Sequence, residues 1–293
     1  MIIVDSLSRH INRKFKSIQG LPLKFAAPWL LAKNWQERDR LVQQPHSIKG
    51  QLVVNLTSYP PRFPTLHMTL QSLLLQTVKA DRVVLWLYAK DSQKLPESVT
   101  KLQQEGLEIQ LVEQDIKSYK KLIPALIRWP DAFHVTADDD IYYRDNWLAE
   151  LVAGYAGDNR QVVCLRGHFI TTDNEGQVNP YRDWQAKTEH QGPNNRIFFT
   201  SGAGALFPPG ALHKDITDQD KFMRLSPHGD DIWLYWMTVL NGSTIRRTGK
   251  NRKLIVWKHS KAVSLWQFNK QVCGGNDEQI QNMIKAYGLP PLP

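Results

Sequence analysis

Between Gln51 and Asp140 the chain alternates short apolar runs with helical patterns, and this alternation restricts the fold more than any other feature. "LVVNL" from Leu52, "DRVVLWLY" from Asp81, "LEIQLVE" from Leu107 and "AFHVTADDD" from Ala132 read as strands, brief and rich in β-branched residues. The segments between them have the other period. "TLHMTLQSLLLQ" sets Leu66, Leu70, Leu73 and Leu74 at helical spacing; "ESVTKLQQEG" is a polar-faced helix with Gly106 as its C-cap; "YKKLIPALIRWP" is a third helical segment. Strands and helices alternating at this spacing build βαβ units, hence an α/β fold with a mainly parallel central sheet flanked by helices.

In open sheets of this kind ligands bind beyond the carboxyl ends of the strands. The fourth strand runs straight into Asp138, Asp139 and Asp140. Three adjacent acids at the end of a buried strand are costly unless something neutralises them. Side chains alternate on a strand, so Asp138 and Asp140 are expected to point into one cleft and Asp139 the other way. Two converging carboxylates suit a hard divalent ion; a solvated acidic loop is the plainer alternative. Further on, "HGDDIW" puts Asp230 and Asp231 at the start of the apolar helix "IWLYWMTVL", as caps or as cleft acids.

The chain has 293 residues, 42% apolar and 22% charged, with a net charge of +9. That is enough for one large domain, and the basic balance favours an anionic partner without choosing it. "RHINRKFK" near the start reads as a basic amphipathic helix for an anionic membrane surface, or as a solvated helix. Two cysteines, no signal-peptide pattern and no transmembrane run give the expectation of a cytoplasmic protein, peripheral on the membrane at most. The expected organisation is an N-terminal helical extension over 1–48, a main domain over 49–262 with halves 49–145 and 146–262, and a tail over 263–293.

With these motifs in order, the chain resembles the GT-A glycosyltransferases, Rossmann-like enzymes, and among them the family 2-like bacterial enzymes of lipopolysaccharide and capsule synthesis. "TLQSLLLQTVKADRVVLWL", "TADDDIYYRDNWLAELVAGY", "SGAGALFPPGAL" and "HGDDIWLYWM" carry the resemblance, over roughly residues 51–261. It implies transfer of a sugar from a nucleotide-diphospho sugar, UDP being the commonest, to a saccharide or glycolipid acceptor. It implies Mn2+ or Mg2+ on Asp140 and Asp138, with Asp139 close by and His259 completing the site between Lys258 and Lys261, which meet the diphosphate. It implies Asp231, or else Asp230, as the general base of an inverting reaction. Thr57, Ser58, Tyr59 and Arg62 then receive base and ribose, and Asp115, Ser118, Lys120 and Lys121 follow as donor contacts. Ser201, Gly202, Ala203 and Gly204 let backbone approach a sugar. Trp184, in the polar segment 171–195 read as a mobile lid, is the acceptor's aromatic platform, while Trp233 and Trp236 read as core.

Two other readings stay open. "DDD" and "HGDD" together are also the raw material of a two-metal phosphohydrolase or nucleotidyltransferase. A basic, non-enzymatic polyanion-binding protein fits the net charge but leaves the triple aspartate unexplained, and nucleic acid is not the expected partner.

Overall fold

The computed structural model describes residues 23–258 and 275–292. In chain order its main strands are β1 (Leu52–Thr57), β2 (Arg82–Tyr88), β3 (Leu107–Val112), β4 (Phe133–Thr136), β5 (Gln161–Cys164), β6 (Gly167–Phe169), β7 (Ile197–Phe199), β8 (Ala205–Phe207) and β9 (Thr244–Arg247). Seven of them form one sheet in the order β9-β5-β8-β4-β1-β2-β3, while β6 and β7 pair with each other. Every neighbouring pair in the large sheet is parallel except those made by β8, which is antiparallel to both β4 and β5. The expected mainly parallel α/β sheet is present.

Alternation along the strands builds the core on both faces. Leu52, Val54 and Leu56 of β1 pack with Leu66, Leu70 and Leu73 of α2 (Phe63–Leu74). Burying each of these leucines is worth about 1.5–3 kcal/mol. Val53 points the other way, to Val84, Trp86 and Ala125. Asn55, also on that face, is buried yet satisfied: its side chain accepts from Trp86 Nε1 at 3.0 Å and lies 3.3 Å from His134 Nδ1. Such pairing removes the cost of an amide inside a sheet.

The helical segment at 119–130 divides. A 3-10 turn, Lys117–Lys121, precedes α3 (Ile123–Arg128), and Pro124 sits in the first turn of α3, where its missing N–H costs nothing. Next come α4 (Trp147–Gly154), α5 (Gln219–Leu225), α6 (Asp230–Leu240) and α7 (Gly275–Tyr287). Helix α6 is apolar almost all round and therefore buried: Trp233 and Trp236 are core residues, packed with Phe198 and Phe199 of β7 and Ile280 and Met283 of α7.

Four expectations shift here. The stretch expected as an N-terminal extension includes α1 (Leu23–Gln36), whose Ala27 and Leu31 pack on Leu75, Ile255 and Trp257. The stretch expected as a tail supplies α7, part of the same core as α6. The segment 171–195, read as a lid, is tied down: Thr172 bridges Val178, and Phe169 bridges Gln185. Trp184, expected on the acceptor, is only 5% exposed, donates to Asn179 O at 2.8 Å and packs on Tyr181 and Phe198. An indole with its N–H satisfied gains more from an aromatic core than from solvent. The basic stretch at Arg9–Lys16 lies outside the described residues. Among the described residues, no helix is long and apolar enough to cross a membrane.

Candidate active site

The order β3-β2-β1-β4 reverses direction between β1 and β4, which opens a crevice at their carboxyl ends. The strand β4 stops at Thr136, so Asp139 and Asp140 lie in a turn and strand alternation no longer governs them. The expected outward Asp139 is therefore not what is found. Asp139 Oδ2 accepts from Ser58 Oγ at 2.5 Å, and Asp139 Oδ1 lies 3.7 Å from the Arg62 guanidinium. The same guanidinium, only 7% exposed, is ion-paired with Asp140. Asp138 is ion-paired with Lys121, its Oδ1 3.0 Å from Lys121 Nζ.

Burial pushes the Asp139 carboxyl up to about 7, against the pull of Arg62 and Ser58. Asp140 is raised as well, by burial and then by the charge of Asp138. Between the ordinary carboxylate range and about 7, the folded metal-free protein thus keeps on Asp139 a proton that the unfolded chain has released. Stability from this group is complete below the ordinary carboxylate range and is lost as pH rises toward about 7. Melting temperature is expected to fall over that window in the metal-free wild type and to fall less in Asp139→Asn; identical pH profiles would show that Asp139 ionises normally.

The antiparallel β8 completes the site. Its register pairs Ala205 with Thr136, so the loop 201–204 arrives beside the residues that leave β4. Gly202 is needed there: a Cβ would lie 1.8 Å from Asp138 Oδ2. The Tyr143 hydroxyl accepts from the Asp138 amide at 2.7 Å and donates to Gly202 O at 2.6 Å, and Trp147 Nε1 donates to Ala203 O at 2.8 Å. Gly204 has φ +115°, and a side chain on it would strike the Trp147 indole. Ser201 holds the first turn of α6: its amide (2.9 Å) and its hydroxyl both donate to Asp231 Oδ1. Burial and the charge of Asp230 push Asp231 up to about 6, opposed by Lys121 and Ser201.

Lys121 joins the two acidic motifs. Its Nζ lies 2.7 Å from Asp230 Oδ2 as well as 3.0 Å from Asp138 Oδ1. Burial alone would lower its pKa, but Asp138, Asp230 and Asp231 hold it well above the usual lysine range. The sequence offers Lys121 only as one of two neighbouring lysines; nothing local marks it as the bridge.

The remaining candidates divide. Thr57 Oγ1 donates to Trp86 O at 2.8 Å and so serves the sheet. Tyr59 is exposed, and Ser118 is half-buried. Lys120 pairs with Asp115 rather than with the triple aspartate. Lys258 ends a described segment that runs beside the acids: Trp257 N donates to Asp140 O at 2.9 Å, Tyr142 N donates to Ile255 O at 2.8 Å, and Val256 bridges Ile141. His259 and Lys261 lie outside the described residues. Sequence reasoning passed over Thr69, whose hydroxyl contacts Asp139 O at 3.0 Å and Ile141 O at 3.1 Å and accepts from Trp257 Nε1 at 2.9 Å. Its place in the leucine-rich α2 gave no signal beyond a polar residue inside an apolar stripe.

Among the described residues, no group of three or more His, Cys, Asp or Glu side chains is gathered as a metal cage. The charge and donor chemistry nevertheless fit one hard divalent cation. Asp138, Asp139, Asp140, Asp230 and Asp231 are met by two cations, Arg62 and Lys121, and the Asp138 side chain is 43% exposed. Excess negative charge on oxygen donors suits Mg2+ or Mn2+. A two-metal centre spanning both motifs fits poorly, because Lys121 already stands between Asp138 and Asp230. His228, at 3.4 Å from Lys117 Nζ, faces a cation.

No family model and no curated protein sequence matches the chain. Among solved structures, the fold is similar to the mannosyltransferase PcManGT from Pyrobaculum calidifontis in complex with GDP-Man and Mn2+. The TM-score is 0.51 at 16% identity, over 92% of this chain and 74% of that one. TarS 1–349 of S. aureus in complex with UDP overlaps less, with a TM-score of 0.46 at 15% identity, over 69% of this chain and 58% of that one. The fold is that of the GT-A glycosyltransferases.

Proposed function

We propose that this chain is a metal-dependent glycosyltransferase that moves a hexosyl group from a nucleotide-diphospho sugar to a saccharide or glycolipid acceptor, with inversion. One observation carries the reading: at the β1/β4 crevice of a GT-A fold, the triple aspartate and the Asp230–Asp231 pair meet across one buried lysine, Lys121. That the similar mannosyltransferase is bound to GDP-Man and Mn2+ supports the donor class. Lipopolysaccharide, O-antigen or capsule synthesis at the inner face of the cytoplasmic membrane is the setting we propose on the resemblance alone.

In this reading Asp138 and Asp140, with His259, would hold Mn2+ or Mg2+. When bound, the metal supplies Lewis-acid stabilisation to the departing diphosphate. The chain's own residues do the rest. Arg62 and Ser58 orient Asp139 and Asp140. Lys121 keeps the two acidic motifs together without cancelling them. Ser201 fixes one oxygen of Asp231, leaving Oδ2 to accept a proton from the acceptor hydroxyl. A carboxylate raised to about 6 is ionised at neutral pH yet more basic than an ordinary aspartate, as a general base should be.

Thermal-shift measurements with UDP-, GDP-, CMP- and dTDP-sugars, with and without Mn2+, test this. One nucleotide sugar is expected to stabilise the protein only when Mn2+ is present, by about 2.7 kcal/mol at a hundred times its Kd. Asp140→Ala is expected to abolish the metal-dependent part. Stabilisation by polyanions and by none of the nucleotide sugars would favour the binding-protein reading instead.

A further inference from the structure

Beside the acidic crevice lies a cavity of about 60 Å³, lined by apolar and aromatic side chains together with five cationic residues and one acid. Three chain segments supply its cations: Arg144 from the turn after the triple aspartate, Arg166 from the link between β5 and β6, and Lys250, Arg252 and Lys253 from the stretch after β9. The one carboxylate in the wall, Glu150, is already ion-paired with Arg252 and accepts from Asn146 Nδ2 at 2.8 Å. Arg144, Arg166, Lys250 and Lys253 have no ion pair among the described residues. Arg144 and Arg166 are half-buried and Lys250 and Lys253 exposed, so an oxyanion bound here would meet cations from three separate segments. Guanidinium groups present the planar fork that phosphate and carboxylate accept.

The cavity shares its wall with the crevice. Tyr143 and Ala203 line it, and Tyr143 is the residue bonded to the Asp138 amide and to Gly202 O. Arg166 O accepts from Thr200 N at 3.0 Å, and the next residue, Ser201, holds Asp231. One lining residue, Arg166, is thus joined through its backbone to the loop that holds Asp231.

We propose that this cavity is a subsite for an oxyanion group, phosphate or carboxylate, carried by the acceptor, so that the acceptor is an anionic one. Calling that molecule an acceptor rests on the transferase reading; the anion site itself does not. An acceptor with its hydroxyl at Asp231 would place its charged group against Arg166 and Arg144.

Calorimetric titration of inorganic phosphate and of acetate into wild type and Arg144→Gln/Lys253→Gln, each with and without saturating UDP and Mn2+, tests the site. The double variant is expected to bind the anion at least about tenfold more weakly, since each lost charge-assisted contact is worth over a kcal/mol. Saturating UDP is expected to leave anion binding intact. A preference for phosphate over acetate identifies a phosphate-bearing ligand, and the reverse a carboxylate-bearing one. Equal binding by both proteins would overturn the proposal, as would displacement of the anion by UDP, which would put it in the donor site. Loss of anion binding in the variant, from a protein that turns over no nucleotide sugar, would keep the subsite and sink the transferase reading.

Discussion

Replacing Asp231 by asparagine is expected to lower sugar transfer by about 10²- to 10⁴-fold, the usual contribution of a positioned general base. The Michaelis constant for the donor should hardly change if Asp231 serves the acceptor as proposed, because the triple aspartate proposed for the donor's metal lies at the end of β4. The pH profile supplies the second readout. The base works ionised and its carboxyl is pushed up to about 6, so the wild-type rate should fall as pH drops below about 6 and level off above it. The variant should lack that limb. A variant that turns over as fast as wild type would remove Asp231 from the role; Asp230→Asn would then be the variant to measure. A product of retained anomeric configuration, read by proton NMR, would remove the role altogether.

Lys121→Met is expected to be the most destabilising of the substitutions considered. It leaves Asp230, which is buried, and Asp138, which is partly solvated, without their shared cation. Breaking a buried ion pair from one side costs about 3–5 kcal/mol, and the exposure of Asp138 puts the expectation at the lower end, about 3 kcal/mol. Urea unfolding at neutral pH measures it. The deficit should shrink in acid, where protonated carboxylates no longer require a counter-charge, and Lys121→Arg should recover part of it. Unchanged stability at neutral pH would mean that solvent, not Lys121, neutralises the two acids. Even a well-folded Lys121→Met should transfer sugar slowly, since nothing then holds the acidic motifs in register.

Much of the scaffold was legible before any tertiary contact was known. Side-chain period is a local property, so Leu66, Leu70 and Leu73 announced α2, and the β-branched runs announced β1 to β4 within a residue or so at most ends. Gly106, read as a C-cap, takes the left-handed conformation with φ +100° that the role demands. The apolar character of α6 placed Trp233 and Trp236 in the core. Trp184 was misread for the converse reason. Its neighbours in sequence are polar, but Tyr181 and Phe198 reach it from a turn and from β7.

Within the site, residue chemistry was readable and geometry was not. Asp138, Asp139, Asp140, Asp230 and Asp231 stand out in the sequence because acids beside apolar runs demand an explanation. Their partners do not stand out. Where β4 ends is decided by pairing with β1 and β8, so the turn that folds Asp139 back onto Ser58 and Arg62 has no local signature.

By itself, then, the sequence determined the period of each element, the parallel α/β class and the acidic motifs, all properties of neighbouring residues. Only the tertiary structure decided that β8 enters antiparallel beside β4, and with it that the 201–204 loop meets Asp138 and Asp231. It also decided that Lys121 rather than Lys120 is the bridge, and that cations from three segments line a cavity beside the acidic crevice. The physical reason is one of range. Backbone propensity and side-chain alternation act over a few residues, whereas these contacts join segments brought together by strand order and by burying both faces of one sheet.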